Sequence, residues 1–386
     1  MTTTICKMNN HAEERYQFCL WMYRIKKETD KRNKAKRERG EKYLVYMGIF
    51  ALPSHIKKLF GGFIKTPQYT HIHNLEGHTG TVLSLTHFKN KLYSGSSDKT
   101  IRIWNTETYE EIATLEGHTN TVYCLTHDEN KLFSGSGDRT IRVWNTETHQ
   151  TIAALRGHTG SMLCLTLHEN NLYYGSWDEI IRIWDTETYE QIATLEGHTN
   201  SVECLTHHEN KLYSGSADKT IRIWDTETYE QIATLEGHTD WVRCLTLHEN
   251  KLFSGSVDKT IRIWNTETYE QEETLEGHAD FVNCLAIHEN KLVSGSLDKT
   301  IRIWNTETYE TIATLRGHTG IVYCLTHYKN KLVSGGSDTT IRIWNTETYE
   351  PIATLRGHIS SVYCLTIHEN KLVSGSGDNT IHVWKI

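Results

Sequence analysis

From Tyr69 onward, apolar and polar residues alternate in short runs broken by turn residues, with no apolar recurrence at helical spacing. Residues 111–150 show the unit. EIATL is a β-forming run that ends at the Gly117-His118 turn, TVYCLTH alternates, and DEN breaks it. KLFSGS is a third run, GDRT a tight turn, IRVW a fourth run, and NTETHQ is polar again. Each unit therefore predicts four short antiparallel strands. The unit recurs every 40 residues, marked by His78, His118, His158, His198, His238, His278, His318 and His358. An Asp follows each of these 20 residues later and a Trp 26 residues later. One four-stranded sheet cannot cover both of its faces, but sheets stacked radially cover each other, which predicts an all-β propeller. Inner strands starting near 81, 121, 161, 201, 241, 281, 321 and 361 give eight blades. The run HVWKI ends the last unit after its third strand type, while an outer-type run, Tyr69–Leu75, precedes the first Gly-His. That front strand is expected to complete the last blade and close the ring. Pro351, the only proline inside the repeats, begins an outer strand, where a missing N–H is harmless.

The Gly-His pair, the Ser-Gly-Ser-x-Asp turn and the Ile-Arg-Ile-Trp strand resemble the WD40 repeat family over residues 69–386. Trp-Asp itself stands at Trp184-Asp185 and Trp224-Asp225, Asn follows Trp in five other repeats, and Lys385 follows Trp384. The resemblance implies an eight-bladed WD40 β-propeller. It also implies a role for the recurring His, Ser, Asp and Trp, such as His118, Ser134, Asp138 and Trp144. The indole would bond the Ser, the Ser the His, and the His the Asp that shapes the turn. Taken alone, His, Ser and Asp suggest a hydrolase triad, but a set repeated as a framework is not a row of active sites, so no catalytic residue is expected. Repeat three breaks the rule in NLYYGSWDEIIRIW: Tyr174 replaces the Ser, Trp177 precedes the Asp, and Glu179-Ile180 follow it. Its network is expected to be incomplete or rerouted.

The same resemblance places three slots per repeat on the top rim, at 81, 83 and 97 plus multiples of 40, and variation concentrates there. The first slot includes Trp241 and Phe281. The second includes Tyr123, Glu203, Arg243, Tyr323 and Tyr363, and the third includes Trp177. Large apolar groups, Tyr, Trp and Arg on a rim are what an interface needs. These eight residues are the candidate partner-binding site for a peptide or loop, with Glu203 opposite in charge to Arg243. The plain alternative is that they pack on one another and seal the channel mouth. The repeats resemble those of F-box/WD40 receptors and the WD40 tails of certain kinases and ring-finger proteins. Receptors of that kind that read phosphorylated segments carry several rim arginines, whereas the slots named here hold one.

Composition separates two regions. Residues 1–68 hold 15 Lys/Arg against 6 Asp/Glu, a net +9; with −7 for the whole chain, residues 69–386 carry −16. An acidic propeller disfavours nucleic acid as its main ligand. In the basic segment, residues 12–40 predict a helix with a wide apolar face (Tyr16, Cys19, Leu20 and Tyr23 beside Phe18, Trp21, Met22 and Ile25). KRNKAKRER (31–39) follows, a solvated face or a contact for nuclear import, nucleic acid or anionic lipid. LPSHIKKLF (52–60) resembles the opening of an F-box, with too little room after it for a whole one. The expected function is a non-catalytic protein-interaction scaffold, or alternatively the substrate-recognition subunit of an enzyme complex such as a ubiquitin ligase. No signal peptide stands out, and YLVYMGIFAL (43–52) is too short to span a bilayer. A soluble, monomeric, cytoplasmic protein, with nuclear entry open, is the expectation.

Seven cysteines, from Cys124 to Cys364, share one slot of successive repeats, too far apart for disulfides, and suggest a small apolar filler in a reducing compartment. The opposite face should carry the HEN and TETYE turns with His168, His208, His248, His288 and His368. No metal or cofactor is expected there, because equivalent residues on separate blades spread too widely for one ion.

Overall fold

The computed structural model describes residues 69–386. The expected helix over 12–40, the basic run 31–39 and the F-box-like segment 52–60 lie outside the described residues. No helix among the described residues is long and apolar enough to cross a membrane.

Eight four-stranded antiparallel sheets form the blades. In the first, Val82–Phe88 is innermost, followed outward by Lys91–Ser96, Ile101–Asn105 and Glu111–Leu115. In the eighth, Val362–His368, Lys371–Ser376 and Ile381–Lys385 are joined by the front strand Thr70–Leu75, which pairs antiparallel with Ile381–Lys385. The core lies between blades. Tyr93, Ile101 and Ile103 of the first blade pack with Val122, Leu132 and Trp144 of the second. The last junction has the same pattern, with Val373, Ile381 and Val383 meeting Val82, Leu92 and Trp104. Period-2 alternation is thus satisfied by neighbouring sheets on both faces.

Polar staples cross the same junctions. Lys251 Nζ donates to the Thr306 carbonyl of the next blade at 3.0 Å and sits 4.7 Å from the Tyr309 ring centre, and Lys211 and Lys371 repeat the arrangement. Gly255 shows how close the blades come: a Cβ there would lie 2.7 Å from both Cys244 Sγ and Val282 Cγ1. The cysteine slot is only half-buried, but its thiol points inward to carbonyls of its own blade and the next. Burial pushes the Cys244 thiol up to about 12, with Arg243 and the Gly255 backbone opposing it.

Two bulges recur. On the inner strand, Val82 pairs with Ser96 and Ser84 with Gly95, so Leu83 is the extra residue; the same shift recurs in every blade. On the outer strand, Ile103 faces Ala113 while Trp104 faces Glu111, leaving Ile112 bulged and exposed at the edge, which hinders edge-to-edge pairing.

Candidate functional site

Each blade's rim is built on a buried polar network. In the first blade the Trp104 indole donates to Ser94 Oγ at 2.9 Å, Ser94 Oγ lies 2.8 Å from His78 Nε2, and His78 Nδ1 lies 2.7 Å from Asp98 Oδ2. Asp98 also receives the Thr79 and Thr100 amides and the Thr100 hydroxyl, which shapes the tight turn. Burial alone would raise the Asp98 carboxyl, but the hydrogen bonds from His78 and Thr100 outweigh it and hold the group well below the usual carboxylate range. The serine is fully buried and engaged by the indole. This geometry locks strand to turn and leaves no room for a substrate at the hydroxyl.

The third blade reroutes the network. Tyr174 Oη accepts the Trp184 indole N–H at 3.0 Å, yet His158 Nε2 has no partner among the described residues. The phenol reaches the indole but not the imidazole, whose ring lies 4.4 Å from the tyrosine ring. Ile180 also removes the threonine hydroxyl that the turn Asp receives elsewhere. Arg182 compensates by turning inward, with Nη1 3.1 Å from Asp178 Oδ2 and 2.6 Å from His158 Nδ1. Burial lowers the His158 pKa; the Asp178 contact opposes this and the Arg182 charge adds to it. Trp184 is 9% exposed, against 2% for Trp104.

On this frame the three rim slots come together. The bulge residue of the inner strand is the second slot, so the irregularity itself re-aims Tyr123, Glu203, Arg243, Tyr323 and Tyr363 away from the ladder. The first and third slots are tied by a backbone bond: Val257 N–H donates to the Trp241 carbonyl at 2.9 Å, Leu297 N–H to Phe281 at 3.0 Å, and Trp177 N–H to Ser161 at 3.1 Å. Trp177 is 58% exposed, Trp241 43%, Phe281 37% and Tyr123 37%. Arg243 is exposed too; its Nη1 lies 3.1 Å from Glu203 Oε2, and Glu203 also accepts from Ser201 Oγ at 2.7 Å. Tyr323 and Tyr363 are half-buried with ring centres 4.9 Å apart. A Cβ on Gly137 would lie 3.2 Å from the Tyr123 ring, and one on Gly377 3.2 Å from the Tyr363 ring, so these tyrosines fold over third-slot glycines.

The structure thus joins Glu203 to Arg243 and Tyr323 to Tyr363, and sets Trp241 and Phe281 on adjacent blades. Trp177 and Tyr123 stand on the third and second blades, next in ring order to the fourth. Three rim residues lie outside the expected slots. Asp240 and Asp280 accept the backbone amides of Trp241 and Phe281, each at 2.9 Å, which holds each carboxylate against the backbone of the aromatic residue that follows it. Ile359, 86% exposed, stands where six repeats have Thr and one has Ala. That departure was readable in the sequence, but it falls one residue after Gly-His.

On the opposite face the spread of histidines is shorter than slot-to-slot spacing suggests. Imidazoles of neighbouring blades meet in pairs, because the last inner-strand position of one blade lies beside the next-to-last of the following blade: His168 with His207 at 4.7 Å between ring centres, His368 with His87 at 4.9 Å, and His288 with His327 at 5.1 Å. No group of three or more His, Cys, Asp or Glu residues placed to hold a metal ion occurs among the described residues.

A profile of the family described as "WD domain, G-beta repeat" matches residues 69–105, 109–145, 149–185, 189–225, 229–265, 269–305, 309–345 and 349–385. No curated protein matches the chain. Among solved structures it is similar to the computationally designed Ika8 protein, known from a crystal structure. The two share 32% identity over 82% of this chain and 99% of that one, with a TM-score of 0.78. With eight such repeats closed into eight four-stranded blades, the chain belongs to the WD40 repeat family.

Proposed function

We propose that the propeller is a protein-interaction scaffold whose rim takes an apolar segment of a partner, flanked by basic residues. The exposure of Trp241 and Phe281 on adjacent blades, each held beside an aspartate, carries the reading. Buried aromatic anchors dominate binding energy at interfaces, and a charged surround selects the partner's sign. Asp240, Asp280 and the −16 charge of residues 69–386 favour Lys and Arg next to the anchor. Arg243 is already paired with Glu203, which weighs against a phosphorylated ligand. Trp177, Tyr123, Tyr323 and Tyr363 extend the same rim and complete the proposed site.

The test is affinity purification with mass spectrometry on the intact chain, a folded Trp241→Ala/Phe281→Ala variant, and a chain starting at residue 66. Truncating each anchor is expected to cost about 2 kcal/mol or more. A partner lost in the double variant and kept by the truncation supports the rim. Partners kept by the double variant and lost on truncation overturn it. Such partners would instead favour a role as specificity subunit, tethered through residues 1–68.

A further inference from the structure

The paired imidazoles of the face opposite the rim are not used by the partner-binding reading. Two of the three pairs share a further feature. His87 Nδ1 lies 3.1 Å from Thr366 Oγ1, and His207 Nδ1 lies 3.1 Å from Thr166 Oγ1. In both cases the threonine belongs to the neighbouring blade, two residues before that blade's paired histidine, His368 or His168. The third pair, His288 with His327, has Ala286 at that position. We propose that His87/His368 and His168/His207 each chelate one late first-row divalent cation of the Zn2+, Ni2+ or Cu2+ class, as two-imidazole sites bridging adjacent blades.

Neutral imidazole is the preferred nitrogen ligand for these ions, and the hydrogen bond made by one ring nitrogen fixes which nitrogen binds. When His87 donates its Nδ1–H to Thr366 Oγ1, the lone pair resides on Nε2, and His207 does the same against Thr166. Ring centres 4.7–4.9 Å apart are a separation that two imidazoles sharing one ion can have, with water completing its coordination. His87/His368 bridges the blades on either side of the closure, so an ion there would staple the ring where it shuts.

Isothermal titration of the untagged full chain with Zn2+ tests this. His87→Ala and His207→Ala are each expected to remove one equivalent of bound ion, and the double variant two. Thr366→Ala and Thr166→Ala should weaken their sites about 10-fold or more, as loss of a ligand-orienting partner does, while Thr366→Ser restores affinity. Cu2+ electron paramagnetic resonance on the unmodified chain gives a reading free of folding effects, with two imidazole nitrogens per ion expected. Stoichiometry unchanged in the double histidine variant, or fewer than two nitrogens per copper, overturns the proposal.

Discussion

Replacing Ser254 by Ala in the fifth blade should cost about twice as much stability as replacing Tyr174 by Phe in the third. Ser254 Oγ is fully buried, accepts the Trp264 indole N–H at 2.9 Å, and lies 2.7 Å from His238 Nε2. Alanine leaves two buried groups without partners. At about 1–3 kcal/mol for each orphaned group, the loss is about 2–6 kcal/mol. In the third blade the His158 Nε2 orphan already exists. Tyr174→Phe therefore strands only the Trp184 indole, which is also the more exposed of the two tryptophans, at a cost of about 1–3 kcal/mol. Urea denaturation followed by far-ultraviolet circular dichroism compares the midpoints at constant slope. Hydrogen exchange of the two indole N–H groups reads each blade separately. If Tyr174→Phe costs as much as Ser254→Ala, or Ser254→Ala costs under about 1 kcal/mol, the hydroxyl relay is not what secures the blades.

Stability should fall with acid at the closure. His382 stands where the other repeats have Arg, its Nδ1 has no partner among the described residues, and its ring stacks on His358 at 3.8 Å. Burial first, then His358 and His71, lower its pKa to about 4, with Asp378 opposing. The unfolded chain thus takes up the proton first. The folded state should lose up to about 3 kcal/mol as pH drops from about 6.5 to about 4, and thermal melts of His382→Arg should show a flatter dependence. Gly255→Ala should cost about 1–3 kcal/mol by overpacking the fifth–sixth blade junction, read from the urea midpoint. Lys259 holds φ 74, a left-handed conformation, so Lys259→Gly should raise stability by about 0.5–1 kcal/mol in the same assay. Cys244 should resist thiol-modifying reagents at neutral pH until the chain is unfolded, because burial keeps it protonated.

Much of the fold is legible because one 40-residue rule is written eight times. The Gly-His, Ser, Asp and Trp positions predict strands, turns and blade number together, and Tyr174 alone announces that the third network differs. What the sequence does not show is where pairing slips. Leu83 and its equivalents look like ordinary members of an alternating strand, and only the register reveals that they are bulged out of the ladder. Arg182 likewise reads as one more arginine of the Ile-Arg-Ile-Trp strand. Its inward turn follows from losing a hydroxyl two residues earlier, at Ile180, a dependence no single position carries. The histidine pairs were hidden for a third reason. Equivalent positions of successive repeats lie far apart, whereas contact across a blade junction joins positions one residue out of step.

The pairing of Thr70–Leu75 with Ile381–Lys385 also governs how the ring assembles. Every other outer strand meets a partner a few residues away, but this one must find a strand roughly 300 residues along the chain. Loop-closure entropy rises only about 0.6 kcal/mol per doubling of length, so the long span costs little stability but makes the pairing a late event. Until then an open array of near-copies exposes one unsatisfied edge, with outer strands of almost the same sequence competing for it. The true closing pair departs from that consensus, with His71 edge-on to His382 and to Trp384. In an array whose units are otherwise interchangeable, that contact marks which strand belongs last and discriminates against the chain's other outer strands.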